Sequence, residues 1–227
     1  MKTVLVTGAD RGIGEALCRL LHERGDHAIA ACLGDSPTLR SQGIEVQPGV
    51  DVRSDEAVAR LAAALAERRI DMLINNAGIV REGRLGSFAF AGFREEYEVN
   101  TLGPLRVTQA LLPLMSAGGK IGIITSRVGS LGDNASGGLY GYRMSKAAAN
   151  MAGICLAHDL KKRGIAVRLL HPGTVRSEMT RGLNDGATMS NAVEPETAAR
   201  GLLARMDELT LDTTGTFHHA NGETLPW

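Results

Sequence analysis

Residues 3–14 read TVLVTGADRGIG: a short apolar strand, a turn that contains three glycines, and the start of a helix. Glycines in such a turn let a pyrophosphate approach the backbone and leave amide N–H groups at a helix N-terminus directed toward negative charge. The spacing is G-x-x-x-G-x-G rather than the commoner dinucleotide fingerprint G-x-G-x-x-G. Because tight strand-to-helix turns use glycine in any case, the stretch predicts a strand–turn–helix unit and favours, but does not establish, a nucleotide site.

Apolar runs of strand length alternate with helix-period segments along the rest of the chain. Strands read as continuous apolar runs, which is typical of a parallel sheet covered by helices on both faces. We therefore predict a single-domain, Rossmann-like α/β fold over residues 1–227, a doubly wound parallel sheet whose ligands bind beyond the carboxyl ends of the strands. The predicted strands are 3–7, 27–33, 44–50, 70–74, 121–125 and 165–171, and the predicted helices include 13–24, one ending near 69, 139–163 and 196–208.

Composition argues against several classes of protein. The 25 Lys and Arg residues balance the 25 Asp and Glu residues, so no net positive charge favours nucleic acid or an anionic membrane as a partner. Three cysteines without a C-x-x-C spacing indicate neither a disulfide framework nor a metal site. No stretch reaches the ~18 apolar residues of a membrane span, and the first apolar run is too short for a signal peptide. We expect a cytoplasmic protein.

Two further strand ends carry groups suited to a nucleotide. Asp51 and Val52 follow the third predicted strand, and residues 75–78 (NNAG) follow the fourth. The carboxyl ends of parallel strands share one edge of the sheet, so these groups would lie beside the glycine turn. Each also has a simpler interpretation. Asp51 could cap the next helix, and asparagines could serve a turn because they tolerate left-handed backbone.

The choice between NADP(H) and NAD(H) depends on charge near the ribose 2′ position. Arg11, in the glycine turn, is placed to reach a 2′-phosphate. The second strand ends in neutral residues around Leu33. Asp35 follows Gly14 by about 20 residues, the spacing of a ribose-binding acid, although it could equally be a solvated loop residue. The sequence favours NADP(H) and leaves NAD(H) open.

A tyrosine and a lysine indicate acid–base chemistry. Of the three tyrosines, only Tyr142 has a lysine four residues later, Lys146, which places both on one face of a helix. A nearby ammonium favours the phenolate, so we expect a Tyr142 pKa lowered from about 10. Such pairs also arise by chance on helix surfaces. The supporting observation is Ser126, at the end of the fifth predicted strand.

Taken in order, these motifs resemble the short-chain dehydrogenase/reductase family, and the resemblance covers almost the whole chain. The stretch from Ser126 to Lys146 is similar to the C-factor and sniffer-type carbonyl reductases of that family. The residues that carry the resemblance are Thr7-Gly8-x-x-x-Gly12-Ile13-Gly14, Asp51, Asn75-Asn76-Ala77-Gly78, Asn100, Ser126, Tyr142-x-x-x-Lys146 and Pro172-Gly173.

The resemblance implies an oxidoreductase that moves a hydride between a nicotinamide and a carbonyl or secondary alcohol. Tyr142 would exchange a proton with the substrate oxygen, and Ser126 would hydrogen-bond that oxygen. Lys146 would bind the nicotinamide ribose and lower the Tyr142 pKa, while Asn100 would position a water that relays protons to Lys146. The connection between the serine and the tyrosine is longer than is usual in the family, so Ser130 is a rival for the serine role.

The resemblance also implies a cofactor-binding set, a lid and an assembly. Thr174, Val175 and Ser177 would flank the nicotinamide amide, the segment 177–194 would cover the substrate, and the chain would form a homodimer or homotetramer through helices at 100–115 and 142–163. The implied cofactor-binding residues are Gly8, Arg11, Gly12, Ile13, Gly14, Asp51, Val52, Asn76, Ala77, Gly78, Tyr142, Lys146, Pro172, Gly173 and Val175.

Another class of function is compatible with the same residues. Since C-factor proteins are named for intercellular signalling, the dinucleotide site could serve a signalling or regulatory protein as a sensor with little turnover. A hydrolase is a poor alternative, because the chain has no G-x-S-x-G motif.

Several remaining residues have ordinary interpretations. His218 and His219 have no acidic or thiol neighbour in sequence and are expected at a surface or interface, and His171 is expected to be a buried, hydrogen-bonded imidazole. Three phenylalanines, Phe88, Phe90 and Phe93, either line a substrate pocket or pack together. The apolar tail 225–227 is expected to pack on its own domain or on a partner subunit.

Overall fold

A seven-stranded parallel sheet forms the centre of the computed structural model, which describes residues 1–81, 83–181 and 191–227, with only the backbone described at 181. Its strand order is β3-β2-β1-β4-β5-β6-β7, and every neighbouring pair is parallel. The strands are β1 (Thr3–Thr7), β2 (His27–Ala31), β3 (Glu45–Gln47), β4 (Met72–Asn75), β5 (Lys120–Ile124), β6 (Ala166–His171) and β7 (Thr216–His219).

Helices connect the strands and cover both faces of the sheet. A single π-helical turn, Glu98–Leu102, joins α4 to α5, and short 3₁₀ turns occur at Leu112–Leu114 and Arg127–Gly129. The helices are α1 (Gly12–Glu23), α2 (Pro37–Ser41), α3 (Asp55–Ala64), α4 (Phe90–Tyr97), α5 (Gly103–Leu111), α6 (Tyr140–Lys161), α7 (Glu178–Arg181) and α8 (Pro195–Asp207).

The core has two main parts, one on each face of the sheet. Val4 and Val6 of β1 belong to the cluster that includes residues of α1 and α8, whereas Leu5 belongs to the cluster that includes residues of α3, α5 and α6. All three side chains are fully buried. Because successive side chains of a strand point to opposite faces, an unbroken apolar β1 needs helices on both sides. The doubly wound, Rossmann-like prediction is confirmed.

The structure corrects several predicted boundaries. β2 ends at Ala31 and β3 at Gln47, both earlier than predicted, and α3 ends at Ala64 rather than near residue 69. Neither α2 nor α7 was predicted. The seventh strand, Thr216–His219, was missed because Phe217 is its one buried apolar side chain, so the strand shows no continuous apolar run.

The topology identifies where a ligand would enter. β1 pairs with β2 on one side and with β4 on the other, so the direction of winding reverses between β1 and β4. In open α/β sheets the crevice outside the carboxyl ends of the strands at such a reversal is the usual ligand site. No helix within the described residues has the length and apolar character needed to cross a membrane.

Candidate functional site

The glycine turn after β1 is joined to the end of β4 by hydrogen bonds. The Thr7 hydroxyl accepts from the backbone N–H groups of Asn76 (3.0 Å) and Ala77 (3.1 Å). The Asn76 side-chain amide donates to the carbonyl oxygens of Thr7 and Gly8, both at 3.0 Å. Asn76 does not adopt left-handed backbone, since Leu139 alone does so among the described non-glycine residues. The left-handed-turn interpretation of this asparagine is therefore wrong, and the part played by the Thr7 side chain was missed.

The turn that contains Gly8, Gly12 and Gly14, which we call the glycine cradle, is shaped by the absence of side chains at these positions. Gly8 and Gly12 adopt φ values of +61° and +58°, and a Cβ atom on Gly8 would lie 2.8 Å from the Cα of Ala77. A Cβ on Gly14 would lie 2.2 Å from the carbonyl oxygen of Gly8. Among the described residues no heavy atom stands within 4 Å of the corresponding position at Gly12, and the N-cap residue Arg11 makes no side-chain capping bond. The first amides of α1 are thus left for an anion, which fits the pyrophosphate of a dinucleotide.

Arg11 and Asp35, the two charged residues that could contact the ribose 2′ position, both lie at the surface, and each is paired with another charged side chain. The Arg11 guanidinium is 3.4 Å from the carboxylate of Glu178, at the start of α7. Asp35 accepts from Arg40 Nε at 2.9 Å, and this hydrogen bond holds the Asp35 pKa below its usual range. Each charge would have to exchange its partner for a cofactor group.

Asp51 does not cap a helix. Its carboxylate accepts from Arg53 at both oxygens, with Nη2 2.7 Å from Oδ2 and Nε 3.0 Å from Oδ1, and this contact lowers the Asp51 pKa. The cap of α3 is Ser54, whose hydroxyl accepts from the backbone N–H of Ala57 at 3.1 Å. The capping interpretation of Asp51 is wrong, while the neighbouring Val52 is buried as a pocket-lining residue would be.

Three predicted catalytic side chains converge at the end of β5. Ser126 follows the strand, and its hydroxyl, which accepts from the backbone N–H of Val128 at 3.4 Å, lies near that of Tyr142 in the first turn of α6 and lowers the pKa of that tyrosine. One turn further along the helix, Lys146 Nζ lies 5.7 Å from the centre of the Tyr142 ring and donates to the carbonyl oxygen of Ile124 at 2.9 Å. The predicted placement of the tyrosine and lysine on one helix face is confirmed.

Burial dominates the ionisation of this pair. It raises the pKa of Tyr142 to about 12, and the nearby Ser126 hydroxyl lowers it by less. Burial also lowers the pKa of Lys146 to about 8. The prediction that Lys146 brings the Tyr142 pKa below about 10 is wrong here, because desolvation of the partly buried Tyr142 is the largest contribution and the Lys146 ammonium is directed at a backbone carbonyl.

Asn100 lies in the π-helical turn and is buried. Its side-chain oxygen accepts from the backbone N–H of Ile79 at 2.9 Å, and its amide donates to the Ile79 carbonyl (2.9 Å) and to the Ser145 hydroxyl (3.0 Å). A Cβ on Gly78 would stand 3.3 Å from the Asn100 oxygen and 3.5 Å from Lys146 Nζ. Asn100 therefore reaches the neighbourhood of Lys146 while it holds the segment after β4 in place.

The rival serine has a different task in the structure. Ser130 is buried, and its hydroxyl accepts from the backbone N–H of Asp133 at 3.0 Å. This bond shapes the connection that leads to α6. The hydroxyl that reaches Tyr142 is that of Ser126.

A buried carboxylate near the tyrosine was also missed. Glu96 is fully buried, accepts from the backbone N–H of Arg81 at 2.7 Å, and has its second oxygen against Gly141 without a hydrogen-bond partner among the described residues. Burial raises the Glu96 pKa, and its charge contributes to the raised pKa of Tyr142. In sequence this glutamate resembles any polar position on an exposed helix face.

The segment after β6 packs on the last strand. Gly173, after Pro172, adopts φ +85°, and a Cβ there would lie 3.3 Å from the imidazole of His219. That imidazole stands edge-on to His171, with ring centres 4.8 Å apart. Burial lowers the His171 pKa to about 3, and its Nδ1 has no hydrogen-bond partner within the described parts of the chain. The expectation of a hydrogen-bonded imidazole is wrong for that atom.

The structure describes only part of the predicted lid. Val175 is buried and forms a bridge with Val193, whose N–H donates to the Thr174 carbonyl at 2.9 Å. The Ser177 hydroxyl contacts that of Thr180 at 3.2 Å. Half of the predicted lid, 177–194, consists of residues 182–190, which lie outside the described residues.

Packing explains two of the ambiguous apolar segments. The rings of Phe88, Phe90 and Phe93 pack together, and Phe88 lies 4.9 Å from the ring centre of Tyr140 at the start of α6. The tail packs on its own chain, since the ring of Trp227 stacks on that of Phe217 at 5.5 Å. Within the described residues no group of three or more His, Cys, Asp and Glu side chains could hold a metal ion.

Comparison with known proteins adds relatives of two kinds. The chain is 49% identical to 1-hydroxy-2-glutathionyl-2-methyl-3-butene dehydrogenase of Rhodococcus sp. strain AD45, with full coverage of both chains. It is 40% identical to the C-signal protein of Myxococcus xanthus over 70% of this chain and 93% of that protein. The structure resembles the NADPH-bound carbonyl reductase from chicken fatty liver, with a TM-score of 0.87, 28% identity and coverage of 100% and 99% of the two chains.

The family assignment rests on sequence and fold together. Residues 2–188 match the family described as short chain dehydrogenase. This match includes the glycine turn, the Asn75–Gly78 strand end and the convergent Ser126, Tyr142 and Lys146. The chain therefore belongs to the short-chain dehydrogenase/reductase family, whose members are oxidoreductases that bind a nicotinamide dinucleotide.

Proposed function

We propose that this protein is an NADP(H)-dependent reductase of carbonyl compounds, or a dehydrogenase of the corresponding alcohols, and that Tyr142, Ser126, Lys146 and Asn100 are its catalytic set. The observation that carries the proposal is the convergence of the first three at the end of β5, on the sheet edge that also carries the glycine cradle. Residues 1–227 act as one domain in this proposal, with 177–194 as the substrate lid.

The protein's own groups handle the proton. When bound, the nicotinamide supplies or accepts the hydride. With a pKa of about 12, Tyr142 keeps its proton at neutral pH and can donate it to a substrate oxygen during reduction. The Ser126 hydroxyl, which lies near the tyrosine, would orient the same oxygen. Asn100 holds the segment after Gly78 through its bonds to Ile79, and Lys146 Nζ lies beside Gly78.

The cofactor residues follow from the cradle. The amides at Gly12 and Ile13 would hold the pyrophosphate, and the remaining groups would surround the adenosine and the nicotinamide. In this proposal the cofactor-binding residues are Gly8, Arg11, Gly12, Ile13, Gly14, Asp51, Val52, Asn76, Ala77, Gly78, Tyr142, Lys146, Pro172, Gly173 and Val175.

The preference for NADP(H) is supported by Arg11 and by the NADPH-bound structural neighbour. The Arg11 guanidinium is exposed beside the cradle, where it can leave Glu178 for a 2′-phosphate. Titration with NADPH and with NADH, followed by nicotinamide fluorescence, tests this preference. Tighter binding of NADPH supports the role of Arg11, and tighter binding of NADH assigns the ribose to Asp35.

A narrower substrate class has its own support. The relative that is 49% identical over both full chains is named for an alcohol that carries a glutathione thioether. We include such hydroxy thioethers as candidate substrates, in the oxidative direction. A panel of ketones, aldehydes, quinones and glutathione-substituted alcohols, followed at the nicotinamide absorbance, separates this class from general carbonyl reduction.

A sensor is the second candidate function, and the relationship to C-signal favours it. It predicts tight dinucleotide binding without turnover of any member of the substrate panel.

The exposed side chains of one helix bear on the assembly of the chain. Met144 and Met151 are exposed on α6, which supports a homodimer or homotetramer through the helices at 100–115 and 142–163. The free cysteines fit a cytoplasmic location.

Replacing the tyrosine tests the mechanism directly. We expect Tyr142→Phe to lower kcat by about 10²–10⁴-fold, because the proton donor is lost, and to leave the dissociation constant of the cofactor nearly unchanged. The matched control is Tyr97→Phe, which removes the hydroxyl of an exposed tyrosine on α4. Turnover at the wild-type rate in Tyr142→Phe would exclude the proposed mechanism.

A further inference from the structure

An arginine directly follows each of the two candidates for contact with the substrate oxygen. Arg127 comes after Ser126, and Arg143 comes after Tyr142. Both side chains contact the segment 130–138, which we call the connecting loop because it links the two candidates. Neither arginine was singled out as functional by the sequence motifs.

Arg143 binds the second half of the connecting loop. Its Nε donates to the Gly138 carbonyl at 3.0 Å, its Nη1 to the Asn134 side-chain oxygen at 3.0 Å, and its Nη2 to the Ser136 hydroxyl at 2.9 Å. Longer bonds reach the carbonyl oxygens of Gly137 (3.4 Å) and Val128 (3.5 Å). All nitrogens of the guanidinium are therefore used on one loop.

Arg127 and the C-terminal residues bind the first half. Arg127 Nε lies 3.0 Å from the carboxylate of Asp133, and Arg127 Nη2 lies 2.5 Å from that of Glu223. The backbone N–H of Gly132 donates to the Trp227 carbonyl at 2.7 Å. The connecting loop is thus fastened at two ends by different parts of the molecule.

The entry into α6 needs such support. The chain passes through two successive left-handed residues, Gly138 (φ +79°) and Leu139 (φ +47°), before the helix begins. Leu139 is the N-cap residue and makes no side-chain capping bond within the described residues. Non-glycine residues keep this conformation only where surrounding contacts enforce it, and the bond from Arg143 to the Gly138 carbonyl is adjacent to it.

We propose that Arg127 and Arg143 are positioning residues that hold the connecting loop as a wall of the substrate site and thereby maintain the spacing between Ser126 and Tyr142. The proposal rests on the proposed function, because it assigns the two arginines a role in the same reaction. The planar fork of the guanidinium is the essential feature at Arg143, since a lysine ammonium keeps the charge but cannot span acceptors on several loop residues at once. At Arg127 the guanidinium lies between the carboxylates of Asp133 and Glu223, and its Nε makes no hydrogen bond with the described residues.

The test compares Arg143→Lys and Arg127→Lys with Arg168→Lys. Arg168 is a buried arginine of β6, and its Nη2 donates to the Thr213 hydroxyl at 2.9 Å. Thr213 lies in the loop before β7, at the amino ends of the strands and away from the candidate site. Arg168→Lys controls for the loss of an arginine that holds a loop away from the site. Melting temperatures of all three variants show whether each one folds.

Two readouts separate positioning from a general loss of stability. In Arg143→Lys we expect backbone amides of the connecting loop to exchange with deuterium about tenfold faster, and kcat/KM for the carbonyl substrate to fall by about tenfold or more, with cofactor affinity unchanged. In Arg127→Lys the faster exchange is expected at Gly132 and Asp133. In Arg168→Lys neither the loop exchange nor kcat/KM changes.

The outcomes distinguish this proposal from the proposed function. Unchanged loop exchange in Arg143→Lys, or faster exchange with unchanged kcat/KM, overturns the positioning role even if the wild type is an active reductase. If the wild type turns over no substrate, the proposed function fails and the positioning role fails with it. The exchange data then still decide whether the arginines hold the loop.

Discussion

The two halves of the carboxyl edge of the sheet are stabilised in different ways. Around the ends of β1 and β4, short side chains and backbone groups make the contacts, as in the bonds between Thr7 and Asn76. Around the end of β5, long charged side chains make them, with Arg143 bonded to five residues of the chain between β5 and α6. The half at β1 and β4, which we call the cofactor half, thus joins two strand ends that lie 69 residues apart in sequence, whereas the half at β5, the substrate half, is held by an arginine whose partners lie only 5 to 15 residues away.

The largest effect is expected from the most crowded glycine of the cofactor half. Gly14→Ala places a Cβ 2.2 Å from the Gly8 carbonyl oxygen, so the turn must move. We expect loss of dinucleotide binding, measured by nicotinamide fluorescence. We also expect the free energy of unfolding, measured by urea denaturation, to fall by about 1–3 kcal/mol. Gly34→Ala is the control for stability, because no described heavy atom lies within 4 Å of its Cβ position. Equal stability of the two variants would show that the cradle is more adaptable than the contacts indicate.

The next effect concerns the buried lysine of the substrate half. Burial lowers the Lys146 pKa from 10.5 to about 8, so between these values the unfolded chain binds more protons than the folded one. Stability conferred at this site therefore increases as the pH rises through that window. Relative to Lys146→Met, we expect the wild-type free energy of unfolding to rise by up to about 3 kcal/mol between pH 8 and 10.5. Parallel pH profiles of the two proteins would contradict the lowered pKa.

The third effect, which we expect to weaken dinucleotide binding less than Gly14→Ala does, tests whether one hydroxyl organises the cofactor half. Thr7→Val leaves the N–H groups of Asn76 and Ala77 without their acceptor, which should cost about 1–3 kcal/mol of stability and weaken dinucleotide binding. The control is Thr3→Val on the same strand, whose hydroxyl makes no hydrogen bond to the described residues. If both variants lose equal stability and bind dinucleotide equally, the hydroxyl contact is not what holds the two strand ends together.

Much of the fold and part of the site were predictable. The apolar runs identified six of the seven strands, because a strand buried on both faces must be apolar throughout. The strand β7 was missed, since Phe217 is its one buried apolar side chain and two of its four residues are His218 and His219. In the site, Ser126, Tyr142 and Lys146 were identified from strand ends and helical spacing, and the structure brings them together.

Energetic and long-range properties were not predictable in the same way. The sequence indicated a lowered Tyr142 pKa from the neighbouring lysine, but the raised value follows from how deeply both groups are buried. The tasks of Arg127 and Arg143 depend on which atoms of the connecting loop face each guanidinium. Residue spacing carries no information on either point.

The sequence by itself determined the parallel α/β architecture, the glycine turn and the positions of the chemical groups along the strands, because these follow from local periodicity and from the small size of glycine. Only the tertiary structure decided the partners of Asn76, Glu96, Arg127 and Arg143 and the ionisation of Tyr142. The physical reason is that hydrogen bonding and desolvation depend on segments distant in sequence that pack around each group.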